Sequence, residues 1–225
     1  MRYSLFLVLT LASCSSPRAR EVSHEPADEA RPMPAPASVS NDHRKVIVVF
    51  GDSISAGFGL PSGQSFPDYL QKRLDSGGYS YRVANLGISG DTTEGGASRI
   101  DSATSLKPAI VVLELGGNDG LRGMPLASTR ANLEQMIRAF QASGAKVVLA
   151  GMTLPPNYGP DYIQGFEKIY KDLAAKYKLV LIPFLMSEIV TRDLRYIQPD
   201  GIHPTAPGSE IISGTVLKAI HPLLQ

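Results

Sequence analysis

VIVVFGDSISAGFGLP, residues 46–61, sets a run of apolar β-formers directly against glycines, hydroxyls and one carboxylate. A short apolar run bounded by turn residues reads as a strand buried on both faces. The glycines that follow accept backbone conformations closed to other residues, so the chain can turn sharply at the strand end. Open α/β sheets bind their ligands at the carboxyl ends of strands. Ser53, just past this strand, is therefore a candidate nucleophile. It needs a base, a group to orient that base, and donors for a developing oxyanion.

Outward from this strand, apolar runs alternate with helical stripes. Phe66, Tyr69, Leu70 and Leu74 recur at helical spacing and stop at Gly77-Gly78. Tyr81–Leu86 reads as a second strand. A helix is expected over roughly Thr93–Leu106, ending before Pro108. AIVVLEL, 109–115, reads as a central strand. A helix carrying Leu133, Met136, Ile137 and Phe140 follows and closes at Gly144. Lys146–Ala150 is the fourth strand. The stripe Ile163, Phe166, Ile169, Tyr170 and Leu173 precedes a fifth strand at Leu179–Ile182. Ile211, Ile212, Val216, Leu217 and Ile220 mark a C-terminal helix. This order predicts an α/β fold: a three-layer α/β/α sandwich around a mostly parallel five-stranded sheet with right-handed crossovers. The loops GDSISAG, GISGDTT, GGNDG and GMTLPPNYG then share one edge of that sheet.

The whole chain of 225 residues is 43% hydrophobic with a net charge of +1, which offers no strongly cationic field for nucleic acid. Its start differs from the rest. MRYSLFLVLTLASC has a basic residue, an apolar run too short for an ordinary spanning helix, and small residues before Cys14, the pattern of an export signal. Leu11-Ala12-Ser13-Cys14 resembles a bacterial lipobox, which implies that residues 1–13 are removed and Cys14 is lipidated. Ser15 after that cysteine favours the outer membrane over the inner. Residues 14–43 are rich in Pro, Ala, Ser and charge, as a flexible tether would be, and His24 and His43 within them are not read as metal ligands. Cys14 is the single cysteine, so no internal disulfide can form. The hydrolytic chemistry considered next is carried by residues 44–225.

Asp200-Gly201-Ile202-His203-Pro204 supplies the missing partners. An imidazole can take the serine proton and return it to a leaving group. A carboxylate on its other ring nitrogen fixes the tautomer. In isolation the same residues also fit a capped turn leading into a helix. With GDS at 51–53, GISGD at 87–91, GGND at 116–119 and DGIH at 200–203, the chain resembles the SGNH, or GDSL, hydrolases. The resemblance extends through ISGDTT, VVLELGGNDGLRG and the NYG-containing loop to the thioesterase, lysophospholipase and arylesterase branch of that family. It implies a flavodoxin-like fold with Ser53 as nucleophile, His203 as base and later acid, and Asp200 as its orienter. It implies an oxyanion hole from the N–H groups of Ser53 and Gly90 and the side-chain amide of Asn118. Asp52 is expected to order the nucleophile turn or cap the next helix. Asp91 and Asp119 are expected to organise loops; with Asp52 they could suggest ligation of a divalent ion, but no tight ligand spacing supports that. Gly51-Asp52-Ser53-Ile54-Ser55 lacks the last glycine of G-x-S-x-G, and the glycines miss the G-x-G-x-x-G spacing.

The reaction this implies is acyl transfer in two halves, needing no cofactor and no metal. Met152, Leu154, Pro155, Pro156 and Tyr158 would line one wall of an apolar acyl groove, with Tyr158 closing over substrate, and the Phe184–Ile197 loop would line another. The expected substrate is a short to medium acyl ester or an aryl ester, an acyl thioester or a lysophospholipid. The expected setting is the bacterial cell envelope, with the enzyme a monomer held to a membrane by its lipid. A carbohydrate O-deacetylase and a non-catalytic binding lipoprotein on the same fold are the competing readings.

Overall fold

The structure, a computed structural model, describes residues 42–224. The expected export signal, Cys14 and most of the tether lie outside the described residues. Five parallel strands form one sheet in the order β2-β1-β3-β4-β5: β1 Lys45–Gly51, β2 Tyr81–Asn85, β3 Ile110–Glu114, β4 Lys146–Ala150 and β5 Val180–Ile182. β1 is buried from Val46 onward and β3 along its whole length. Neither strand alternates between apolar and polar residues because helices cover both faces of a parallel sheet. β2 is an edge strand and is only half-buried.

Between strands run α1 Ser53–Ala56, α2 Phe66–Ser76, α3 Thr93–Ser98, α4 Ile100–Thr104, α5 Gly117–Leu121, α6 Leu126–Ala142 and α7 Pro160–Tyr177, followed by α8 Ser187–Val190 and α9 Ala206–Ile220. α2 packs against α9, whereas α3, α4 and α7 pack against α6. Connections of one hand put helices on opposite faces when the strand order reverses, and here it reverses between β1 and β3. That reversal point is where an open sheet leaves a crevice at its carboxyl edge. The apolar stripes expected from sequence face inward: Leu70 and Leu74, then Leu133, Met136, Ile137 and Phe140, then Phe166, Tyr170 and Leu173 are buried.

Two departures from the sequence reading concern the site. The single helix expected over Thr93–Leu106 is two helices, broken at Arg99 (φ −120°, ψ 22°). Its guanidinium turns inward over the Phe50 ring and donates to the carbonyls of Gly51 and Leu86 and to the Asp91 carboxylate. Gly51 ends β1, Leu86 directly follows β2 and Asp91 lies in the loop beyond it, so the residue between α3 and α4 ties these strand ends and that loop together. In addition, the short helices α1 and α5, not foreseen from periodicity, start directly after β1 and β3. They place Ser53 and Asn118 in their first turns.

Candidate active site

Ser53 is the first residue of α1. Asp52 caps this helix, its Oδ1 accepting from Ile54 N at 3.1 Å. The N–H of a first helical residue has no partner inside its helix, so the Ser53 amide is left free of helical bonding, and Ser53 lines the crevice. His203 arrives from the segment ahead of α9, which Thr205 caps by accepting from Gly208 N. The His203 backbone is clamped by Gln198, whose N–H donates to the His203 carbonyl at 2.7 Å and whose amide reaches Phe58 O and Pro204 O.

His203 Nε2 lies 2.8 Å from Ser53 Oγ, and His203 Nδ1 lies 2.7 Å from Asp200 Oδ2. A carboxylate accepts only, so Nδ1 carries the proton and Nε2 is free to accept the Ser53 hydroxyl. Asp200 Oδ1 meanwhile accepts the N–H groups of Ile202 and His203, which fixes the three-residue turn. Burial alone would raise the Asp200 carboxyl, but those two N–H groups and then the imidazole outweigh it and hold it at about 2. The Phe58 ring covers the imidazole at a centroid distance of 4.6 Å.

Gly90 stands on the opposite rim. It is the third residue of a turn closed by Asp91 N–H on Ile88 O, with φ +81°, a conformation that favours glycine. The Gly90 N–H donates to no described protein group, while its carbonyl accepts from Arg122. Asn118 lines the same crevice, its Nδ2 donating to Asp91 O at 3.0 Å and to Asp52 Oδ2 at 3.2 Å. Ser53, Gly90, Asn118, His203, Phe58 and Leu121 thus share one cavity of about 200 Å³.

A second, apolar cavity of about 340 Å³ adjoins it, both being lined by Ile54, Gly117, Leu121 and Ile202. Met152, Leu154, Pro155 and Pro156 form one wall of it, and Phe184, Met186 and Val190 another. Tyr158 lines neither cavity. Its hydroxyl donates to Leu121 O at 2.7 Å, tying the 152–158 loop to α5. The three aspartates beside the motifs each have their own partners. Asp52 caps α1, Asp91 pairs with Arg99, and buried Asp119 accepts from Thr93 and Thr129, joining α5 to α3 and α6.

Some neighbours of the site escaped the sequence reading. Phe58 and Ile202 are half-exposed apolar side chains in turns, where periodicity carries no signal. Glu114, the last residue of β3, is fully buried beneath the nucleophile turn. The one signal for it was a lone carboxylate inside the apolar run AIVVLEL.

Acyl transfer by serine needs a hydroxyl, an imidazole and a carboxylate in this order, and fold and geometry together define an α/β serine hydrolase. The chain belongs to the GDSL-like lipase/acylhydrolase family, whose sequence profile it matches over residues 49–211. It is similar to the esterase TesA of Pseudomonas aeruginosa, 47% identical over 181 residues that cover 80% of this chain and 90% of that one. It is 35% identical to thioesterase 1/protease 1/lysophospholipase L1 of Escherichia coli K12, over 79% of this chain and 84% of that protein. Among solved structures, the crystal structure of TesA superposes with a TM-score of 0.76 at 46% identity, covering 80% of this chain and all of that one. The chain is a carboxylic-ester hydrolase of this family.

Proposed function

We propose that Ser53, His203 and Asp200 are the catalytic residues of an acyl-ester hydrolase, with the Ser53 and Gly90 amides and the Asn118 side chain as its oxyanion donors. The observation that carries the reading is the unbroken line from Ser53 Oγ through the imidazole to Asp200, at 2.8 and 2.7 Å. Ser53 Oγ attacks the acyl carbonyl as its proton passes to His203 Nε2, and Asp200 stabilises the imidazolium. The carbonyl oxygen gains charge next to the Ser53 and Gly90 N–H groups, which have no acceptor among the described residues. It also takes a share of the Asn118 amide, whose bond to Asp52 is the longer of its two. Collapse breaks the bond to the alcohol or thiol, which leaves with the proton from His203. Water, deprotonated by the same nitrogen, then releases the acid and restores Ser53.

The acyl chain lies in the apolar cavity behind Ile54 and Leu121. Of the large apolar side chains exposed among the described residues, Phe58 and Ile202 line the catalytic cavity, Val190 at the end of α8 lines the apolar one, and Ile88 belongs to the Gly90 turn, which suits an apolar acyl group better than a sugar. Acyl and aryl esters are the preferred substrates, with thioesters and lysophospholipids in the same class. We further propose that residues 1–13 direct export in a bacterium, that Cys14 bears the lipid, and that residues 14–43 tether the enzyme, as a monomer, to the envelope membrane. Mass analysis of the mature protein would find acyl groups on Cys14 if so, and an unmodified soluble form would remove the anchor.

The test of the catalytic assignment is turnover of p-nitrophenyl esters together with labelling by a fluorophosphonate. Ser53→Ala is expected to lose at least about a thousandfold in kcat and all labelling. Labelling that persists in Ser53→Ala would place the nucleophile elsewhere. A wild-type protein that neither turns over nor labels would favour the binding-lipoprotein reading.

A further inference from the structure

Glu114 is fully buried at the carboxyl end of β3, in register with Gly51 on β1. Its Oε2 accepts from the Asp52 N–H at 3.2 Å and from the Ser55 hydroxyl. Its Oε1 is buried and has no donor among the described residues. Gly51 leaves the space this carboxyl fills, since a Cβ there would overlap both Glu114 Oε2 and Ser55 Oγ. The Asp52 side chain is equally hidden from solvent, and its own backbone N–H is one of the two groups bonded to Glu114, so the two carboxyls are neighbours. Two adjacent buried carboxyls cannot both be ionised, so one of them holds a proton.

The hydrogen-bond partners say which. Burial raises the Asp52 carboxyl to about 6, but Asp52 accepts on both oxygens, from Ile54 N and from Asn118 Nδ2. Those two donors favour its charged form. Glu114 receives donors on one oxygen only, and the other oxygen has nothing to accept. A proton on that second oxygen turns an orphaned acceptor into a donor available to the neighbouring Asp52 carboxylate. Burial, followed by the charge of Asp52, raises Glu114 well above the usual carboxyl range, in the same direction.

We propose that Glu114 is a positioning residue held in its neutral acid form, and that by donating its Oε1 proton to Asp52 it keeps that carboxylate aimed at the Asn118 amide beside Ser53. The proposal rests on the role given above to Asn118. Neutral Glu114 adds no charge beneath the nucleophile, while it fixes the acceptor that sets the angle of an oxyanion donor. A displaced donor loses transition-state stabilisation without changing ground-state binding, so the effect belongs in kcat.

Glu114→Gln keeps an acceptor for Asp52 N and Ser55, and presents an N–H where the acid presents O–H. Difference infrared spectroscopy of the folded enzyme at neutral pH is expected to show the carbonyl stretch of a protonated carboxylic acid in wild type, absent in Glu114→Gln. The glutamine variant is expected to keep kcat within about threefold, whereas Glu114→Ala loses about tenfold or more with KM within about twofold. Absence of the acid band in wild type, or its persistence in Glu114→Gln, overturns the proposal. So does a collapse of kcat in a folded Glu114→Gln, or full activity in Glu114→Ala. The infrared measurement does not depend on turnover, and fluorophosphonate labelling of each variant reports Ser53 separately, so failure here is distinguishable from failure of the hydrolase assignment.

Discussion

Asn118 stands between two roles, because both its acceptors are protein groups: Asp91 O and the Asp52 carboxylate. As a mere loop organiser, its loss would lower stability and leave turnover alone. As an oxyanion donor, Asn118→Ala should lower kcat by about a hundredfold or more with little change in KM, measured on folded protein by steady-state kinetics. Asp200 supports a prediction in pH. Its carboxyl is lowered from 3.8 to about 2 in the folded state, so the unfolded chain binds the proton first as pH falls. The stability it contributes is complete above about pH 3.8 and disappears as pH drops through about 2. The urea midpoint of wild type should therefore converge on that of Asp200→Asn across this window, with a constant difference above it. A difference that persists unchanged to the low end of the window would refute that linkage.

At the scale of elements, the four long helices α2, α6, α7 and α9 were legible because their apolar stripes have the right period, and glycines marked the ends of α2 and α6. α2 begins at a capping box in which Ser65 and Asp68 satisfy each other's backbone N–H, with Pro67 in the first turn. Ser65→Ala should cost about 1 kcal/mol in chemical denaturation and leave kcat unchanged, since α2 contributes no residue to either cavity of the site. The helices that carry Ser53 and Asn118 were not legible. α1 and α5 are too short to show a period, and they form because a strand end, a cap and the packing around them hold them in place. The break at Arg99 was hidden for a related reason. Nothing in Thr93–Leu106 announces that its arginine will fold inward, since its partners, Gly51, Leu86 and Asp91, lie earlier in the chain.

For the whole molecule, the sheet order matters most. Reversal between β1 and β3 brings the loops after both strands to one crevice, and the segment ahead of α9 delivers His203 across it. The adjoining apolar cavity gives this arrangement a measurable consequence. Val190, exposed at its rim, offers a place to add bulk without overpacking the core. Val190→Trp should lower kcat/KM for p-nitrophenyl decanoate relative to acetate by about tenfold, because each buried methylene contributes about 0.8 kcal/mol. Equal losses for both esters would indicate that acyl chains do not occupy this cavity.

Local sequence settled the alternation of strands and helices, the burial of β1 and β3, and the chemical types gathered in four loops, because periodicity and turn chemistry act between near neighbours. GDS, GISGD, GGND and DGIH also sufficed to point to the family. Tertiary structure decided which atoms meet. Ser53 and His203, 150 positions apart, are brought to 2.8 Å by the sheet topology, and Tyr158 goes to Leu121 instead of to the cavity. Only packing revealed Glu114 beneath Asp52, since the protonation of a carboxyl depends on the solvent, charges and donors around it, and those are set by the fold.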